Sequence, residues 1–120
     1  WSNIYFTFVY SSANANLKIM FSVIYSFTIK PGHETSFIEA WKEMTLLIQH
    51  HEGGLGSRLH KQSELKYIAC TQWPDRETWE NAGNKLPENA NNIRDKMRIC
   101  CENMETAFEL DVVEDLLIGI

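Results

Sequence analysis

Hydrophobic positions along residues 21–118 switch between a spacing of two and a spacing near 3.6, and each switch marks an element boundary. Phe21, Val23, Tyr25, Phe27 and Ile29 share one face of a first strand, with Ser22, Ile24, Ser26 and Thr28 on the other. Pro31-Gly32 ends it. Between His33 and His51 the apolar residues Phe37, Trp41, Met44 and Ile48 recur at steps of four, three and four, with Ala40 and Leu47 beside them. That is the stripe of an amphipathic helix, which Glu52-Gly53-Gly54 terminates, Gly53 suiting a left-handed cap. A second strand is expected at 55–61, with Leu55, Ser57, Leu59 and Lys61 facing one way and Gly56, Arg58 and His60 the other. A turn at 62–64 then leads into a third strand at 65–73, which makes a hairpin.

A short helix is expected at about 75–82. Pro74 fits a first turn, Asp75 is a capping residue, and Glu77 suits the positive end of the helix dipole. After a loop at 83–87, Ala90, Ile93, Met97, Cys100 or Cys101, Met104 and Phe108 repeat at helical spacing and predict a long helix. A closing strand, rich in Val and Leu, is expected at 110–118.

Strand, helix, strand, strand, short helix, helix, strand is the split βαβ, ferredoxin-like α+β plan: a four-stranded antiparallel sheet with helices on one face. Val112-Val113 and Leu116-Leu117-Ile118 make the closing strand apolar on both faces, and Ile24 sits on the outer face of the first. Helices cover only one face, so the other calls for a second cover, most simply a second copy of the chain in a homodimer.

A chain of 120 residues, 44% hydrophobic and 22% charged, has the size and makeup of one globular domain with a modest core. The net charge of −5 argues against nucleic acid as a partner, since phosphate contact needs a basic face. No apolar run is long enough to cross a membrane, so no membrane partner is expected. Cys70, Cys100 and Cys101 form no CxxC pair, which reads as reduced, partly buried thiols in a cytoplasmic protein. Residues 1–19 differ from the rest: an apolar, aromatic run at 4–10, a small polar linker at 11–16, and the first Met at 20. The working domain is expected at 20–120, with 1–19 an extension added in cloning, translated from upstream, or an extra edge strand. Folding is not expected to need it.

Trp73 ends a strand just where a helix begins, and ligand sites are often built at such junctions. Trp73 and Trp79 can equally be core anchors. Adjacent His50 and His51 splay apart on a helix, which makes a shared metal ion a weak reading even with His33 or Glu52. Glu109, Asp111, Glu114 and Asp115 read as a solvated edge or as ion pairs between subunits.

Pro31-Gly32, then Phe37 and Trp41 in a helix, then Gly53-Gly54-Leu55-Gly56-Ser57-Arg58-Leu59-His60, then Gln72-Trp73-Pro74-Asp75-Arg76, in this order and spacing, resembles the antibiotic biosynthesis monooxygenase domain family. The resemblance covers nearly all of 20–118. It implies a dimeric α+β barrel in which two ferredoxin-like sheets face each other, with a pocket in each monomer between sheet and helices. Some members oxidise quinols or polycyclic phenols with O₂ and need neither metal nor flavin, so no cofactor is expected here. Haem-degrading relatives take an iron ligand from a His after the strand-ending Trp and place an Asn on the first strand. This chain has no His after His60 and no Asn between 21 and 29, so haem turnover is not expected.

A cofactor-free oxygenase needs a base for a phenolic proton and a cation or donor near the developing anion. Arg58 and His60 lie two residues apart on one strand face, with His60 as candidate base and Arg58 as candidate anion stabiliser. The other reading is an exposed or dimer-facing strand paired with carboxylates. Tyr25, Phe27, Trp41, Tyr67 and Trp73 are the candidate wall of a pocket for a small, flat aromatic molecule, and ordinary core packing is the competing account of most of them. Three functions follow: a cofactor-independent monooxygenase on a quinol-like substrate, a non-catalytic dimeric binding module, and, more weakly, an isomerase or decarboxylase of related fold.

Overall fold

Strand β1 (Phe21–Ile29) is hydrogen-bonded along both edges, and the other elements are disposed around it. In the computed structural model, which describes residues 19–118, it is followed by α1 (Glu34–His51), β2 (Gly56–Ser63) and β3 (Lys66–Trp73). Next come α2 (Arg76–Glu80), α3 (Ala90–Cys100) and β4 (Cys101–Asp111). The sheet order is β2-β3-β1-β4 with every pair antiparallel, which makes the fold a ferredoxin-like α+β sandwich. Except for Ile19, the N-terminal extension lies outside the described residues.

The inward row of β1 lies under the helices: Phe21, Val23, Phe27 and Ile29 are buried. Phe27 packs, tilted, at 4.9 Å against Phe37 of α1, which meets Tyr67 of β3 edge-on at 5.9 Å. Ala40 and Met44 continue this contact along α1, and Ala90, Ile93, Met97 and Cys100 add the buried face of α3. A separate, smaller cluster of Phe21, Val23 and Trp73 sits at the other end of β1. Gly53, at φ +77, ends α1 as its composition predicts, and Asp75 caps α2 by accepting from the Thr78 amide at 2.7 Å.

The C-terminal third differs from the sequence-based expectation. The helix expected to run through Phe108 stops at Cys100, and the last strand is Cys101–Asp111 rather than 110–118. Residues 112–118 form no regular element, and Val113, Leu116, Leu117 and Ile118 are exposed. Locally, 102–110 is rich in Glu, Met, Ala and Leu, which favour helix. What makes it a strand is the free edge of β1, which pairs with it over nine registered positions, starting where the Lys30 amide donates to the Cys100 carbonyl at 2.8 Å. The ladder skips Glu102 and Ala107. The second bulge reverses the alternation: Met104 pairs with Phe27 on the helix side, whereas Phe108 and Leu110 pair with Ile24 and Ser22 on the outer face. Among the described residues no helix is long and apolar enough to cross a membrane.

Burial pushes the Cys101 thiol up to about 11 from an ordinary 9.0, with Cys100 adding to the shift and Lys30 opposing it. Between those values the folded chain holds a proton that the unfolded chain has lost. The associated stability is full below the lower value and falls as pH rises toward the upper one. Urea midpoints measured from pH 8 to pH 11 should therefore fall more steeply for the natural chain than for Cys101→Ala; parallel profiles would refute the assignment.

Candidate functional site

Tyr25 is the one inward residue of β1 that the helices leave half-open, and it sits on the floor of a cavity of about 610 Å³. The two apolar clusters do not merge above it; Tyr25 and Ile48 pack against both, and the cavity occupies the space between. The stripe of α1 supplies Trp41, Met44, Thr45 and Ile48 to the wall, because positions three and four apart point the same way. From α3 come Arg94, Met97 and Arg98, again at helical spacing. Phe27, Thr71, Trp73 and Met104 belong to the sheet, and a strap after α2 contributes Ala82, Gly83 and Leu86. This volume suits a small polycyclic molecule, and the wall is largely aromatic and aliphatic.

Few polar groups border this apolar space, and Tyr25 is the one on its floor that a hydrogen bond orients. The Trp79 indole donates to the Tyr25 hydroxyl oxygen at 2.8 Å. With that oxygen accepting, the Tyr25 O–H is left to donate. Burial raises the Tyr25 phenol above its ordinary value; the Trp79 hydrogen bond opposes this, and the charge of Glu109 adds to it. Tyr25 is thus a neutral donor at physiological pH. Trp73 is buried and its indole N–H has no hydrogen-bond partner among the described residues. Arg94 and Arg98 bring positive charge to one wall, and Glu80 is the carboxylate that borders the cavity.

Sequence-local rules place α2, and long-range contacts lock it. The Asp75 side chain also accepts from the Thr78 hydroxyl at 2.9 Å. The Arg76 guanidinium lies 4.4 Å over the Phe21 ring and pairs with Glu109 of β4 at 3.0 Å. Phe21 in turn packs at 5.6 Å on Trp79. The strap is pinned where the Lys85 amide donates to buried Glu52 at 3.0 Å.

Of the residues singled out from sequence, Tyr25, Phe27, Trp41 and Trp73 meet at this cavity. Tyr67 does not line it; it is buried in the main core against Phe37. Arg58 and His60 are not brought to it either. They pair with Cys70 and Ile68 of β3, whose partners on β1 are Ile24 and Ser26, so the register puts both on the sheet face away from the helices. Both are exposed. Sequence reading passed over Thr45, Arg94, Arg98 and Met104, and treated Trp79 only as an anchor. Arg94 and Arg98 bracket Met97 at i, i+4 spacing, a signal present in the sequence; Met104 gave none, because its face depends on the bulge. His50 and His51 meet edge-to-face at 4.6 Å at the end of α1, and among the described residues no three His, Cys, Asp or Glu side chains are grouped to hold a metal ion.

The family model for antibiotic biosynthesis monooxygenase matches residues 20–85, more than half of the chain. No curated protein sequence matches. Among solved structures, SnoaB, a cofactor-independent oxygenase from Streptomyces nogalater, superposes with a TM-score of 0.67 at 13% identity, over 82% of this chain and 97% of that one. PA3566 from Pseudomonas aeruginosa gives 0.65 at 17% identity over 82% and 98%. Rv0793 from Mycobacterium tuberculosis gives 0.64 at 11% over 82% and 99%. At these identities the likeness is one of fold.

Gly54 lets the end of α1 approach Trp73: a Cβ there would lie 2.9 Å from Ile48 Cγ2 and 3.6 Å from Trp73 Cη2. Gly54→Ala should therefore push Ile48 toward the cavity and destabilise the chain by about 1–3 kcal/mol, the usual cost of overpacking. Urea denaturation measures this, and an unchanged midpoint would show that Ile48 gives way freely.

Proposed function

The chain belongs to the antibiotic biosynthesis monooxygenase family, and on that premise we propose that it oxidises a small phenolic or quinol-like aromatic with O₂, using neither metal nor flavin. The observation that carries the reading is the aromatic cavity floored by Tyr25, with a hydroxyl aligned by Trp79 and the Trp73 ring in its wall. A flat substrate fills the space between the apolar clusters. Tyr25 and the guanidinium groups of Arg94 and Arg98 stabilise the anion that forms when the substrate loses a proton. Glu80 is the wall group suited to accept that proton, since His60 lies on the opposite sheet face. The electron-rich anion then passes an electron to O₂. For a ring methylene the balance is R₂CH₂ + O₂ → R₂C=O + H₂O, the protein supplying position and field.

A homodimer completes this reading. On the helix-free face Ile24, Phe108 and Leu110 adjoin, with Phe108 61% exposed, and the exposed Val113, Leu116, Leu117 and Ile118 follow the same strand. A second copy is the occupant whose own face is apolar in the same places. Light scattering at micromolar concentration should give twice the chain mass, and Phe108→Glu should give the monomer; a natural chain that is monomeric refutes the dimer.

The functional test is oxygen uptake in metal-free buffer with a panel of quinols and polycyclic phenols. Turnover is expected with at least one, and Tyr25→Phe should lower kcat by about 10²-fold, the scale of one aligned donor to a developing anion. Tight binding of such compounds without oxygen uptake would instead identify a binding module. Full activity in Tyr25→Phe would remove Tyr25 from the chemistry.

A further inference from the structure

The strap after α2, residues 81–89, is the one part of the large cavity's wall that lies outside the sheet and the helices. Its Ala82 packs against the cluster of Phe21, Val23 and Trp73, and its Leu86 packs against the main core. The strap therefore spans the gap between the two apolar clusters, and that gap is the one the cavity occupies.

Its attachment to the body is slight. No residue from 81 to 89 is buried. Its hydrogen bonds stay within the strap and the adjoining ends of α2 and α3, with one exception among the described residues: the Lys85 amide donates to Glu52 Oε1 at 3.0 Å. A segment with few buried contacts and few hydrogen bonds to the body opens more readily than the core does. Gly83, at φ +104, stands in open space, since a Cβ there would meet nothing within 4 Å. A glycine without neighbours absorbs a backbone rotation that a crowded residue resists.

Glu52 is an unusual anchor. It is the C-cap residue of α1 and is buried, and both burial and the negative end of the helix dipole disfavour a carboxylate. No lysine, arginine or histidine among the described residues forms an ion pair with it. What this carboxylate holds is the strap.

We propose, resting on the assignment of the large cavity to an aromatic molecule, that the strap is its gate, hinged at Gly83 and latched by Glu52. With the latch broken, the strap swings away from the gap and the compound enters from solvent. With the latch made, Ala82 and Leu86 return to the cavity wall and water is kept from the anion formed there. The latch takes a main-chain donor, so the side chain at position 85 does not set its strength. A carboxylate acceptor makes this single bond stronger than a neutral pair.

Deuterium exchange at the Lys85 amide reads the latch in the ligand-free chain. Glu52→Ala should speed it about tenfold, the scale of one hydrogen bond to a charged acceptor, with the amides of β1 unchanged. Glu52→Gln, whose side-chain oxygen still accepts, should stay closer to the natural chain. Binding of 2-naphthol, followed by stopped-flow quenching of tryptophan fluorescence, reads the gate, because Trp41, Trp73 and Trp79 line the cavity. Association and dissociation should both quicken in Glu52→Ala. Gly83→Ala, strained at φ +104 but free of any clash, should quicken both with Glu52 in place, and serves if Glu52→Ala does not fold. A Lys85 amide that exchanges alike in the natural chain and both Glu52 variants, or 2-naphthol rates unchanged in folded variants, overturns the proposal. If 2-naphthol does not bind at all, the aromatic assignment is what fails, and exchange at Lys85 alone decides for or against the latch.

Discussion

The double pairing of β1 is the constraint from which the rest of this molecule follows. A strand with both edges occupied cannot slip, so its side chains alternate faces without ambiguity. Its inward row of Phe21, Val23, Tyr25, Phe27 and Ile29 must then be covered by whatever packs from above. The helices cover the two ends of that row well and its middle poorly. The result is two apolar clusters with Tyr25 between them, and the large cavity is that shortfall. A site built in this way needs no special backbone. It needs a helix stripe that diverges from the sheet at one place.

Polar groups around the cavity are held by contacts that reach across the sheet. Arg76 stacks on Phe21 and pairs with Glu109, so one side chain ties α2 to β1 and β4. As a partly exposed pair it contributes little to stability, but its geometry fixes where Trp79 lies. Trp79 in turn sets the direction of the Tyr25 hydroxyl. The raised pKa of that phenol has burial as its main cause, so the apolar wall that would receive an aromatic ring also keeps the donor protonated. Shape and electrostatics at this site thus have a common origin.

The two sheet faces divide the work. The helix side carries the cavity and the oriented Tyr25 hydroxyl. The other side carries Ile24, Phe108 and Leu110, with Arg58 and His60 toward the β2 edge. This division explains why His60, the obvious general base on composition, stands apart from the aromatic residues it was expected to serve. A strand offers two faces, and sharing a strand element with the pocket gives no assurance of sharing its face.

The first strand, both early helical signals, the hairpin and the capping of α2 were legible in the sequence because each depends on spacing or on residues a few positions apart. So was the ferredoxin-like order, and so were four of the aromatic wall residues, since the stripe of α1, the alternation of β1 and the strand-to-helix junction after Trp73 each mark them. Tertiary structure alone decided the rest. Nothing local marks Cys101–Asp111 as a strand: Met97, Cys100, Met104 and Phe108 keep helical spacing throughout, and only hydrogen bonds to a β1 edge some seventy to ninety residues earlier outweigh that preference. The bulge at Ala107, which sends Met104 to the cavity and Phe108 to the outer face, is likewise a property of the pair of strands. The side of the sheet taken by His60 and Arg58 was open for the same reason. Periodicity says that two residues share a face, but only the packing of helices on the sheet says which face that is.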